Sequence, residues 1–85
     1  MAGWTLWHDV ALYHALDHSR LGGAVYGATT YDTERACQAG QRDAMADEEQ
    51  RRRGALTQRV VDGVIVWDAG LAHYTAFRYR CTENP

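Results

Sequence analysis

"DTERACQAGQRDAMADEEQRRRG", residues 32–54, is the one stretch whose helical reading organises everything around it. Asp32 or Thr33 offers a side-chain oxygen to the free N–H groups of a first turn. Asp32 and Glu34 suit the positive end of a helix, Arg51–Arg53 suit the negative end, and Gly54 suits a left-handed stop. Asp47/Arg51, Glu48/Arg52 and Glu49/Arg53 set acid before base four residues apart, each pair worth a few tenths of a kcal/mol, about 0.3–0.5. The spacing predicts a helix over Thr33–Arg53. Its inward stripe is Cys37, Gly40 or Gln41, Ala44, Met45 and Glu48. That stripe is narrow and made mostly of small side chains, so the helix is expected to lie close against a sheet.

Downstream the period changes from helical to two. Leu56–Val61 and Val64–Trp67 read as strands around Asp62-Gly63, a dipeptide suited to a two-residue hairpin turn. Asp68-Ala69-Gly70 turns the chain into Leu71–Cys81. There Leu71, His73, Thr75, Phe77, Tyr79 and Cys81 share one face, expected to be the core face. Ala72, Tyr74, Ala76, Arg78 and Arg80 share the other, with both arginines expected in solvent. Upstream, Trp4, Leu6, His8, Val10 and Leu12 alternate with Thr5, Trp7, Asp9, Ala11 and Tyr13. This favours a strand to about Tyr13, then a loop and a second strand near Ala24–Thr30. The segment "DVALYHALDHSRLGG" also fits a helix, capped by Asp9, with Leu12 and Leu16 one turn apart and a Gly-Gly stop.

The whole is 85 residues, room for one domain spanning 1–85 with a modest core. Apolar residues make up 46% of the chain, with three Trp and five Tyr, yet domains of this size often need a staple. The formal charge of −2 argues against a dedicated nucleic-acid binder. All nine basic residues are Arg, which we read as coding bias. No run approaches the apolar length of a membrane span. "MAGWTLW" lacks the basic start and long apolar run of a signal peptide, although an initiator Met added to a processed form reads the same way.

The only cysteines are Cys37 and Cys81. Cys-x-x-Cys redox chemistry is excluded by their separation, and a zinc site lacks the second close ligand pair. Cys37 in the second helical turn is not in an activating position. A disulfide is favoured, because the inward faces of helix and last strand let the two meet. Two reduced thiols, or a catalytic or metal-bound role, stay open at this point. A disulfide implies an oxidising compartment, hence a secreted or periplasmic protein; reduced thiols imply a cytoplasmic one.

"WTLW", "YDTERACQAGQRDA" and "YTAFRYRC" together resemble a group of small uncharacterised bacterial secreted or periplasmic proteins. These combine an N-terminal W-x-L-W strand, a Thr-x-x-x-Cys helix start and a C-terminal aromatic strand ending in Cys. The resemblance spans nearly the whole chain through short motifs. It implies Trp4 and Trp7 in the first strand, Thr33 as the helix cap, and a Cys37–Cys81 bridge. The chain departs from the pattern in lacking a signal segment and in its short "TENP" ending.

Chemistry has few footholds. On a helix, His14 and His18 would stand one turn apart and grip a divalent metal with Asp17 or Asp9 nearby, but no Glu follows His14 to complete a His-Glu-x-x-His pattern. These residues read more simply as polar groups at a strand end and in a loop. His73 reads as a hydrogen-bonded structural histidine before it reads as a base. Ser19 is the only serine, with no nucleophile-elbow motif around it. The arginines of "QRRR" at 50–53 follow three acids and read as a self-paired helix end. Trp7, Tyr13 and Tyr74 fall on the outer face of the sheet, where exposed aromatics would form a partner surface.

The expected fold is α+β: a two-layer sandwich, one helix on an antiparallel sheet of about four or five strands, ordered β-β-α-β-β-β. The expected role is a small non-enzymatic, disulfide-stapled binding or structural domain with an unknown protein or surface ligand and no cofactor. The competing expectations are a cofactor-free or metal-assisted enzyme using His8, His14, His18 or His73, and an inhibitor protein from a phage or mobile element.

Overall fold

The computed structural model describes residues 3–52, 55–67 and 72–85. Its elements run β1 (Trp4–His14), β2 (Arg20–Tyr31), α1 (Glu34–Arg51), β3 (Leu56–Val60), β4 (Gly63–Trp67) and β5 (His73–Glu83). The strands form one five-stranded sheet in the order β2-β1-β5-β4-β3, every pair antiparallel. The first and last strands of the chain are therefore central neighbours, locked over eleven register pairs from Trp4↔Glu83 to His14↔His73.

The helix starts where its sequence says. Thr33 is the cap, its hydroxyl accepting from Ala36 N at 3.1 Å. Arg51 bonds Asp47 at 3.0 Å and Arg52 bonds Glu48 at 3.2 Å. Glu49 reaches instead to Arg59 of β3, whose Nε donates at 2.7 Å; Arg53 and the expected Gly54 stop lie outside the described residues. Cys37, Met45 and Glu48 are the buried residues of α1. Cys37 and Met45 join Leu6, Val64, Val66, Phe77 and Tyr79 in one core, flanked by Trp4, Val10, Tyr31, Ala44 and Cys81. Gln41 donates to the Tyr79 carbonyl, and Gly40 leaves room for the Tyr31 ring.

Cys37 and Cys81 are joined by a disulfide, with Cα atoms 6.1 Å apart across a separation of 44 residues. It ties the second turn of α1 to a central strand. Cys37 is fully buried beneath it.

Residues 9–14 are strand, as the alternation favours, and the helix alternative falls because β1 pairs on both edges, with β2 and with β5. Two local expectations are corrected. β2 is longer than Ala24–Thr30: Gly22-Gly23 does not end it, and irregularities at Tyr26 and Leu21 let it follow β1 down to Arg20. The β3–β4 turn is centred on Val61-Asp62, since Val60 pairs with Gly63 and neither central residue has positive φ. Gly63 is needed for another reason. A Cβ there would overlap the Phe77 carbonyl oxygen, so it sits where β4 must approach β5 closely.

Candidate functional site

Alternation fixes which side chains of β1 and β5 meet α1 and which face away. Leu6, Val10, Phe77 and Tyr79 go to the core. Trp7, Asp9, Ala11 and Tyr13 face away, beside Arg80, Arg78, Ala76 and Tyr74 at the same register positions. On this outer face the central pair is Ala11↔Ala76, with Gly23 of β2 beyond Ala11 and Ile65 of β4 beyond Ala76. Small side chains in the middle of a sheet face leave a trough. It is a cavity of about 270 Å³ between Arg20, Tyr13 and Val25 on one hand and Asp9, Arg78 and Arg80 on the other.

Tyr13, which lines one side of the trough, is backed by an aromatic group. Tyr13 and Tyr74 stack with ring centroids 5.3 Å apart, and Trp67 lies 4.6 Å from Tyr74 on its other side. His18 Nδ1 completes the group 2.9 Å from the Tyr74 hydroxyl. His18 is the one described non-glycine residue at positive φ. The turn that holds it there is pinned by Asp17, which accepts from Ser19 N at 3.0 Å and Ser19 Oγ at 2.7 Å. Those two hydrogen bonds hold the Asp17 carboxyl below its ordinary pKa.

Three arginines supply the charge, and two are already matched. Arg80 Nε donates to Asp9 Oδ2 at 2.9 Å, and Arg78 reaches Asp62 of the β3–β4 turn at 2.7 Å. Arg78 is the register partner of Asp9, so its turn toward Asp62 leaves Asp9 Oδ1 buried without a hydrogen bond. The Asp62 carboxylate also holds the Arg78 guanidinium above its ordinary pKa. Arg20 has no carboxylate partner among the described residues. Its guanidinium lies over Gly23, in the space a side chain there would fill, so the missing Cβ is what lets Arg20 lie in the trough.

The expected partner residues divide accordingly. Trp7 and Tyr13 are half-buried on the outer face, Trp7 donating from Nε1 to Thr82 Oγ1 at 2.8 Å. Tyr74 is corrected: at 8% exposure it is covered by its neighbours, and it backs Tyr13 without lining the trough. Arg78 and Arg80, expected to be merely solvated, are ion-paired parts of the site. Reading the face for bulky residues missed Arg20, Gly23, Ala11 and Ala76. The available signal was an alanine on the outer face of each central strand.

The histidines do not converge. His14 and His18 are not one turn apart on a helix: His14 is strand, its ring 5.2 Å from that of His73, while His18 packs on Tyr74 of the opposite face. Among the described residues no group of three or more His, Cys, Asp or Glu is placed to hold a metal ion. His8 lies on the helix side between Tyr26 and Tyr79, at centroid distances of 5.7 and 5.3 Å. A second cavity of about 130 Å³ opens there, bounded by Asp47, Glu48 and Arg51. Tyr79 donates its hydroxyl to buried Glu48 at 3.4 Å, and Glu48 also accepts from Arg52, whose guanidinium lies 5.2 Å above the Phe77 ring.

Burial pushes the Tyr79 phenol far above the ordinary tyrosine range, and the neighbouring Tyr26 and Glu48 acids add to it. A folded pKa above the unfolded one favours the protonated fold. That contribution is complete below the ordinary tyrosine pKa of about 10 and is lost as pH rises beyond it. In an ultraviolet titration Tyr79 should therefore ionise only as the chain unfolds in alkali. A Tyr79 that ionises while the chain is still folded would overturn this reading.

No family model, curated protein or solved structure matches this chain.

Proposed function

We propose that this chain is a small, non-enzymatic binding domain: a two-layer α+β sandwich, stapled by Cys37–Cys81, that engages a partner protein through the outer face of its sheet. The single observation carrying the reading is the open trough on that face. It has an alanine floor, Tyr13 on one side held by stacking on Tyr74, and an arginine with no partner among the described residues. Pockets with an apolar lining and a few convergent polar groups are where recognition concentrates. The staple supports work in an oxidising compartment, which is the secreted or periplasmic reading. No described helix is long and apolar enough to cross a membrane.

The enzyme reading gains no support from the geometry. The four histidines are distributed over both faces, and the Ser19 hydroxyl is spent on Asp17. The test is site-specific photocrosslinking in the source cell. A photoreactive residue in place of Trp7 should give a discrete adduct, and the same residue in place of exposed Gln38 on α1 should not. Identical adduct patterns from both positions, or none from Trp7, would refute the outer-face reading.

A further inference from the structure

We infer that the trough receives an acidic segment of the partner, an extended peptide whose Glu or Asp carboxylate is captured by Arg20. This rests on the outer-face reading above and names the chemistry of what binds there. Of the four charged side chains lining the trough, Asp9 is matched by Arg80 and Arg78 is matched by Asp62. The uncompensated charge is therefore Arg20, in a chain whose formal charge is −2. Gly23 holds the space in which the guanidinium lies, beside the Ala11 side chain. A planar fork of N–H donors beside a shallow apolar floor suits one carboxylate carried on an extended backbone.

The floor supports a peptide over a compact anion. Gly23, Ala11 and Ala76 run in a row across three strands, with Ile65 continuing the row on β4. A chain laid along that row sets apolar atoms on the alanines and a flanking side chain against the exposed face of Tyr13. Nucleic acid is disfavoured by the same arithmetic, since a phosphate backbone needs a run of free cations and the trough offers one.

Amide chemical-shift titration tests this on the intact, oxidised protein. The probes are an acetylated and amidated hexapeptide alternating Glu and Ala, its Gln-for-Glu counterpart, and inorganic phosphate. The Glu peptide should shift the amides of Ala11, Gly23 and Ala76, and bind at least about tenfold more tightly than the Gln peptide, a difference near 1.4 kcal/mol. Arg20→Gln should remove that preference while its thermal melt stays at the wild-type value, and Arg20→Lys should keep part of it. Raising the salt should weaken the Glu peptide selectively. Equal binding of both peptides at those amides would overturn the acidic partner and leave the outer-face reading standing. Phosphate acting as strongly as the Glu peptide would overturn the peptide in favour of a bare anion. Shifts nowhere, or away from the trough, would overturn the inference outright, with the Trp7 crosslink deciding separately whether the face binds at all.

Discussion

Replacing both Cys37 and Cys81 by alanine should lower the melting temperature by more than about 15 °C and bring the domain to the edge of stability. The bridge closes a separation of 44 residues, which corresponds to about 4 kcal/mol of unfolded-state entropy on the chain model. Domains of this size hold only about 5–15 kcal/mol in total, and each kcal/mol is worth about 4–8 °C. The loss is compounded locally. The bridge clamps α1 over the central strands β1 and β5, where the other ties of helix to sheet include Met45 and Ala44 in the core, the Gln41 bond to Tyr79 and the Glu48–Tyr79 pair, with Glu49–Arg59 and Gly40–Tyr31 toward the sheet edges. Reductant applied to the wild-type protein should reproduce the variant's melt. A melting temperature within a few degrees of wild type in both cases would mean that the sheet and helix hold together without the staple.

The second large effect concerns a residue with no side chain. Gly63→Ala should lower the urea midpoint by an amount equivalent to at least about 1–3 kcal/mol. The new methyl would stand on the Phe77 carbonyl oxygen, and backbone cannot rotate away as a flexible side chain can. Relief requires β4 to part from β5 next to the Val64↔Phe77 pair, both members of which belong to the core. Gly22→Ala is the control, because a Cβ there meets nothing within 4 Å. It should be near neutral in the same experiment. If the two variants unfold at the same midpoint, close approach at Gly63 is not what the glycine provides.

Both effects show how differently the elements could be read. The helix was legible because capping, charge order and spacing are local: Thr33, the acid-before-base pairs and the Cys37–Met45–Glu48 stripe all belong to one continuous segment. β1, β4 and the alternating face of β5 were legible for the same reason. β2 was under-read because almost none of its side chains is buried, so its length follows from pairing with β1 and not from its own pattern. The β3–β4 turn was misplaced by one residue, since Asp62-Gly63 carries a strong turn preference that the approach of β4 to Phe77 overrides.

By itself, then, the sequence determined the capped helix, the alternating faces of the central strands, and the inward positions of Cys37 and Cys81. Local hydrogen bonding and side-chain period suffice for these. Tertiary structure alone decided that β1 and β5 lie side by side, that Gly23, Ala11 and Ala76 fall in one row, and that Arg78 turns to Asp62 while Arg20 keeps no partner among the described residues. Those outcomes join residues from both ends of the chain. No local preference encodes them, because each depends on which strand becomes whose neighbour.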